Sequence, residues 1–328
     1  MNNIKAKMLL IASFILFIFS LQHNVYAAKV GGIAMEPVYS KNQISKNGYL
    51  NPRVKPGSYQ NFDINILSMS DKNQKITVEP HTAYTSDGIS VAYDKDKIIS
   101  KSNMKNDFRF LFKNKSITFN LPAGKTYRVR FTAKIPNEEF NGIIMGGFYI
   151  TNNDALEQGQ DTGTMINNKY SYVMPAVLNE DGKKAVPKLT LDKIDANGNI
   201  VSSKIENKKS AYIDSMSIYS KITNSSGKVV SEYEGKDKSV APNTNFYLDN
   251  LMYSGNIRPG KYHIKIVAKS TDPYKWVMEK DFSVSSAQYI GYIIESNQWI
   301  LYLILILLLL ILILIIFIIK KRKEKNND

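Results

Sequence analysis

The sequence predicts an all-β chain: two tandem immunoglobulin-like β-sandwich domains followed by one C-terminal transmembrane helix. Three observations predict it. Apolar and polar residues alternate along short segments separated by Gly, Pro and Asn turns, the period of half-buried antiparallel strands. A polar break at residues 181–187 divides two such series. Residues 299–319 are an unbroken apolar run, and a helix rising ~1.5 Å per residue crosses the ~30 Å hydrocarbon core with about 20 residues.

Each element follows from its residues. Residues 1–27 read as a secretory signal peptide. Lys5 and Lys7 precede an apolar run, and Val25-Tyr26-Ala27 puts small residues at the −3 and −1 positions of a cleavage site before Ala28. The first sandwich is expected over 30–180. Phe62, Ile64 and Ile66 alternate with Asn61, Asp63 and Asn65, and Ile117, Phe119 and Leu121 repeat the pattern. The clearest strand interleaves Arg128, Arg130, Thr132 and Lys134 with Tyr127, Val129, Phe131, Ala133 and Ile135. Pro122-Ala123-Gly124-Lys125 reads as a hairpin turn, and residues 152–168, rich in Asn, Gly, Asp and Gln, as an inserted surface loop.

Residues 181–187 serve as the linker, and the second sandwich is expected over 188–286. Asn197-Gly198 is a strong hairpin signal. Tyr262, Ile264, Ile266 and Ala268 alternate with His263, Lys265 and Val267, and Trp276 and Phe282 flank the last strands. Residues 287–298 are expected to tether this domain flexibly to the membrane, 299–319 to span it, and 320–328 to remain inside as a basic cytoplasmic tail. Tyr289, Tyr292 and Trp299 are placed at the outer headgroup level, and Lys320, Lys321 and Arg322 at the inner one.

Composition narrows the function classes. None of the 328 residues is cysteine, which excludes disulfides, thiol catalysis and Cys-ligated metal centres. The three histidines, His23, His81 and His263, are too few for a multi-His site, and His23 falls in the leader. His81 and His263 are expected at the surface or a sheet edge. Of the net charge of +14, two units belong to the leader and three to the tail, so +9 remains outside the membrane. Such a charge beside a bilayer suits anionic headgroups and wall polymers, not nucleic acid. An anchored, exported chain without cysteine points to a bacterium with a single membrane.

No motif marks a reaction centre. Gly124-Lys125-Thr126 resembles the end of a phosphate loop, but Phe119 stands where the loop needs its first glycine. Asp195, Asn197, Asn199 and Glu206 have the spacing of a calcium loop, with Ile200 where that turn needs glycine. Asp154, Glu157 and Asp161 read as acids of a solvated loop, and no Gly-x-Ser-x-Gly elbow occurs. No catalytic residue, cofactor or metal site is therefore expected, and the chain is read as a non-enzyme. Arg128, Arg130 and Lys134 share one strand face and form the candidate wall-contact surface; a solvated outer face is the competing reading.

An ordered series of short segments carries a family resemblance. Val54-Lys55-Pro56-Gly57 opens it, followed by Gly88-Ile89-Ser90-Val91-Ala92-Tyr93. The fullest match is Ile135-Pro136-Asn137-Glu138-Glu139-Phe140-Asn141-Gly142-Ile143-Ile144-Met145-Gly146-Gly147-Phe148-Tyr149, and Asn168-Lys169-Tyr170-Ser171-Tyr172-Val173 comes next. Ala241-Pro242-Asn243-Thr244-Asn245-Phe246 and Arg258-Pro259-Gly260-Lys261-Tyr262 continue it to the terminal helix and basic tail. In this order the chain resembles the WxL-interacting proteins of Gram-positive bacteria.

That resemblance implies a first domain binding peptidoglycan, a second described as host-binding, and partners that are secreted proteins with WxL domains. It supplies no positions for ligand residues, and Gly142, Gly146 and Gly147 read as permitting turns or close backbone approach. Trp299-Ile300-Leu301 spells W-x-L but opens the membrane helix, so it is read as an anchor. The favoured function is a membrane-anchored scaffold at the membrane–wall interface, its body extracellular, that binds peptidoglycan and WxL-domain proteins. An adhesin for a host extracellular-matrix protein is the alternative, and a wall-modifying enzyme the third.

Overall fold

The computed structural model describes residues 32–95, 107–154, 170–180, 182, 185–271, 273–297 and 299–325. The leader lies outside the described residues, as does most of loop 152–168.

The alternation of residues 61–66, 117–121 and 127–134 is realised as strands. The first body contains β1 (Ile33–Val38), β2 (Tyr59–Ser68), β3 (Gln74–Thr82), β4 (Tyr84–Thr85), β5 (Val91–Ala92), β6 (Ile117–Leu121), β7 (Thr126–Lys134), β8 (Ile143–Asn152) and β9 (Ser171–Asn179). The sheet β1-β2-β7 packs on the sheet β6-β3-β8-β9, while β4 and β5 form a small hairpin of their own. Phe62, Ile64 and Ile66 of β2 and Val129 and Phe131 of β7 point inward and are buried. Between the sheets Phe62, Phe108, Phe112, Phe131 and Phe148 meet at centroid distances of 5.0–6.0 Å, tilted or edge-on. Such pairs contribute about 0.5–1.5 kcal/mol each beyond area burial. Phe108 arrives on a 3₁₀ turn, Phe108–Leu111, whose cap Asp107 accepts from the Arg109 amide.

The second body has β10 (Leu189–Asn197), β11 (Ile200–Asn207), β12 (Ile213–Asn224), β13 (Val229–Val240), β14 (Asn245–Leu251), β15 (Gly260–Lys269) and β16 (Lys275–Val284). Its sheets are β10-β11-β14 and β13-β12-β15-β16. With the β4–β5 hairpin set aside, both bodies follow one plan: the first, second and fifth strands form one sheet, and the fourth, third, sixth and seventh the other. Both are antiparallel immunoglobulin-like sandwiches. A hairpin does form at Asn197-Gly198, but Asn197 pairs with Ile200, so its two turn residues are Gly198, at φ +61°, and Asn199, one position on.

Three expectations are corrected. Pro122-Ala123-Gly124-Lys125 is not a hairpin turn: β6 pairs with β3 and β7 with β2, so the turn carries the chain from one sheet to the other. Phe119 and Tyr127 stack across that edge at 4.1 Å. His81 is buried, not at the surface, because the Tyr149 ring stacks on it at 5.0 Å and the chain at Tyr93 runs over it.

The third correction concerns the tether. The segment after β16 is an α-helix, Ser286–Ser296, started by a capping box in which Ser285 and Gln288 each accept from the other's backbone amide. A second helix, Trp299–Lys325, follows; its stretch Leu301–Ile319 is long and apolar enough to cross a membrane, with mean hydropathy 3.8.

Candidate functional site

The two sandwiches meet along a seam built from loops. The β4–β5 hairpin of the first domain places Ile89, 1% exposed, within the core of the second, in the same cluster as Met216, Val240 and Phe246. Hydrogen bonds to the hairpin backbone hold it there. The Ser239 amide donates to the Ile89 carbonyl at 3.0 Å, the Val91 amide to Ser239 Oγ at 3.1 Å, and Lys238 Nζ to the Gly88 carbonyl at 2.9 Å. Thr85 Oγ1 accepts from the Ala241 amide at 3.0 Å and lies 2.7 Å from Thr244 Oγ1. Ile89 sits at φ +56°, an unfavourable region for a β-branched residue, and the surrounding bonds fix it there.

A second strip lies at the start of β8. The Ile143 amide donates to the Ser210 carbonyl at 2.8 Å, and Asn243 Nδ2 donates to Ser210 Oγ at 3.0 Å. Gly142, at φ +87°, allows that approach: a Cβ there would stand 2.1 Å from the Ser210 carbonyl oxygen. Gly146 and Gly147 lie under Phe108 and Val173 in the same way. Three segments that carry the family resemblance, around Gly88, Gly142 and Ala241, therefore converge on this seam.

Beside the seam opens a cleft of about 650 Å³ that neither domain forms alone. Met145, Pro175 and Val177 line it from the first body, Tyr212 and Asp214 from the second, and Ala185 and Pro187 from the segment between β9 and β10; Tyr49, Tyr93 and Tyr274 add aromatic rings. Tyr212 donates to Asp214 Oδ1 at 3.0 Å. Burial pushes the Tyr93 hydroxyl up to about 12, with a smaller contribution from Tyr212. Burial also raises Tyr212 to about 12, helped by its bond to Asp214. Both phenols are thus neutral donors at physiological pH in a largely apolar hollow. A raised tyrosine pKa favours the folded state's neutral form, so stability falls as pH rises above the ordinary value near 10. Tyr212→Phe is expected to lower the pKa of Tyr93 and to move alkaline unfolding to higher pH; ultraviolet titration of tyrosinate checks both.

The sequence-predicted basic face is assembled but largely engaged. On the outer face of β2 and β7, Arg130 holds Asp63 through two bonds of 2.6 and 2.8 Å, which raises the guanidinium pKa further. Arg128 Nε donates to Asn65 Oδ1 at 3.0 Å and Thr132 Oγ1 to Asn61 Oδ1 at 2.8 Å. Lys134 lies 4.5 Å over the Tyr59 ring, which is 71% exposed. The result is a flat ladder of amides, hydroxyl and guanidinium groups with one exposed ring. His263 pairs with Asp281 at 2.7 Å. Among the described residues no group of three His, Asp or Glu is placed to hold a metal ion.

On the helix Ser286–Ser296, Tyr292 is held against the second domain. Its ring packs on Gly198, where a Cβ would meet it at 2.4 Å. Trp299 is 62% exposed at the start of the apolar helix. The cleft tyrosines and the Ile89 contact were not legible as a site; the only signal was the marker segment around Gly88, whose partner is about 150 residues away.

A family model described as WxL Interacting Protein, peptidoglycan binding domain, matches residues 34–152, and one described as WxL Interacting Protein, host binding domain, matches residues 161–291. No curated protein matches the chain. Among solved structures, the E. coli chaperone DraB is similar at 12% identity and a TM-score of 0.30, over 77% of this chain and 95% of that one. A Salmonella enterica SafA pilin in complex with the SafB chaperone gives 12% and 0.30, over 79% and 99%. A PapD-like domain of human CEP192 gives 10% and 0.27, over 51% and 95%.

Proposed function

The chain belongs to the WxL-interacting protein family, with that family's peptidoglycan-binding domain followed by its host-binding domain, and from this premise we propose that it is a non-enzymatic scaffold anchored in the cell membrane. Its terminal helix crosses the bilayer, its body lies outside, and it holds WxL-domain proteins at the membrane–wall interface. The observation that carries this reading is the seam. The domains are joined through a shared core and through hydrogen bonds, so the cleft beside them is a preformed concave surface of the kind that binds partners. We place the WxL-domain contact there, because its Tyr, Met, Val and Pro lining suits apolar and aromatic side chains.

The first domain's contact with peptidoglycan is placed on the β2–β7 ladder. Alanine at both Arg128 and Lys134 is expected to lower co-sedimentation with isolated wall several-fold at low salt. Alanine at Arg130 has a smaller effect, because Asp63 already balances that charge.

The description of the second domain favours a second reading, an adhesin for host matrix. Against direct contact stands the docked helix Ser286–Ser296, which keeps that domain next to the bilayer and under the wall. Residues 28–288 used as bait on a wall extract decide between these readings. The scaffold reading expects a WxL-domain protein that survives high salt and is lost when Tyr93 and Tyr212 are both replaced by alanine. Recovery of wall polymer alone, stripped by salt, sinks it.

A further inference from the structure

We infer that the end of the second domain bearing the β10–β11 hairpin rests on anionic lipid headgroups, as a membrane contact separate from the terminal helix. The inference depends on that helix lying in the bilayer.

Chain length brings the two together. The Tyr292 ring is packed on Gly198 at the hairpin tip, and Trp299 opens the apolar span. Four residues at ~1.5 Å and three at no more than ~3.6 Å separate Tyr292 from Trp299, so the Tyr292 backbone, whose ring touches the hairpin, lies within about 17 Å of the span's first residue. Headgroups fill about 5–8 Å of that distance.

The surface at that end has the matching chemistry. Four connections meet there. The Ile257 amide donates to the Gly198 carbonyl at 2.7 Å, the Met252 amide to Asn199 at 2.8 Å and the Tyr253 amide to Val230 at 2.9 Å. Asn224 pairs with Tyr262, and Gly260 with Val284 just before the helix. Leu251, 60% exposed, and Tyr253, 63% exposed, project from it, and Ile290 of the helix is 55% exposed. Lys228, Arg258 and Lys261 are exposed there, and residues 197–200, 224–230, 251–261 and 283–285 contain no carboxylate. The neighbouring acids are Asp195, bridged by Lys193, Glu232, bonded by Tyr219 and Tyr253, Asp281, paired with His263, Asp249, bonded by Ser202, and Glu295 on the helix. Cations flanking an exposed leucine and tyrosine are what an anionic interface recruits.

The chain has no cysteine, so single labels are clean. The full chain, reconstituted in phosphatidylglycerol vesicles carrying a headgroup nitroxide, is labelled at Y253C, at Y59C on the first domain, or at L310C in the span. Strong quenching is expected at Y253C and none at Y59C. The Lys228→Glu, Arg258→Glu, Lys261→Glu triple variant, or neutral phosphatidylcholine, is expected to reduce the Y253C quenching at least two-fold. A Y253C signal as unquenched as Y59C, while acyl-chain quenchers reach L310C, overturns the contact and leaves the anchor standing. Failure of those quenchers to reach L310C overturns both. Equal quenching in the two lipids overturns the assignment to anionic headgroups.

Discussion

Replacing Ile89 with aspartate is expected to strip the second domain of its coupling to the first and to lower its stability by more than any exposed substitution. Emptying a buried isoleucine site costs about 2–5 kcal/mol, and an unpaired carboxylate in its place adds several more. Ile89 is 1% exposed and belongs to the second domain's core although it lies in the first domain's chain. The exported portion of the wild type should therefore unfold in one cooperative transition, and the variant in two, the second domain melting first. Calorimetry reads this directly. Ile89→Gly supplies the control. It removes the side chain but also releases the strain of φ +56°, worth about 1–3 kcal/mol, so it should cost less than Ile89→Ala. An aspartate variant that melts like the wild type would mean that the side chain contributes nothing to the second domain.

Much of the fold was legible because burial in a two-layer sandwich imposes a period of two on each strand. Phe62, Ile64 and Ile66, or Tyr262, Ile264 and Ile266, reveal themselves by that period alone. Pairing is another matter. The turn at Pro122-Ala123-Gly124-Lys125 has hairpin chemistry, yet it crosses between sheets, because local residues set a turn's shape and not the partners of the strands it joins. His81 shows the same limit from the other side. It should face solvent by alternation, but a segment distant in sequence covers it: Nδ1 donates to the Tyr93 carbonyl at 2.6 Å, and Nε2 is enclosed 3.9 Å from Glu79.

The helix after β16 hides in the sequence for a simpler reason. Tyr289 and Tyr292 read as interface anchors, although their spacing of three and the Ser285/Gln288 pair are a helix start. The seam was illegible in principle. Ile89 looks like any apolar turn residue, and only the tertiary fold brings Ser239 to it and Ala241 and Thr244 to Thr85. The cleft inherits that opacity, since its tyrosines are scattered from Tyr49 to Tyr274.

Gly142→Ala tests whether the seam, and not either domain, makes the partner site. Any Cβ at φ +87° is strained, and this one would lie 2.1 Å from the Ser210 carbonyl oxygen, so the two backbones must separate. Strain of about 1–3 kcal/mol and one lost backbone bond of about 1 kcal/mol give an expected cost near 2–4 kcal/mol. Gly124 isolates the close approach. It has a similar φ of +64°, but a Cβ there meets nothing within 4 Å, so Gly124→Ala carries the strain without the collision. Chemical denaturation should rank Gly142→Ala well above Gly124→Ala. Binding should separate them further. The Gly142 variant keeps the phenylalanine core of the first domain and its β2–β7 ladder, so wall co-sedimentation persists. Capture of the WxL-domain protein falls at least ten-fold, because Ile143 and Ser210 both line the cleft and must move apart. Equal losses for the two variants would place the partner's contact on one domain alone and would reduce the seam to a linker.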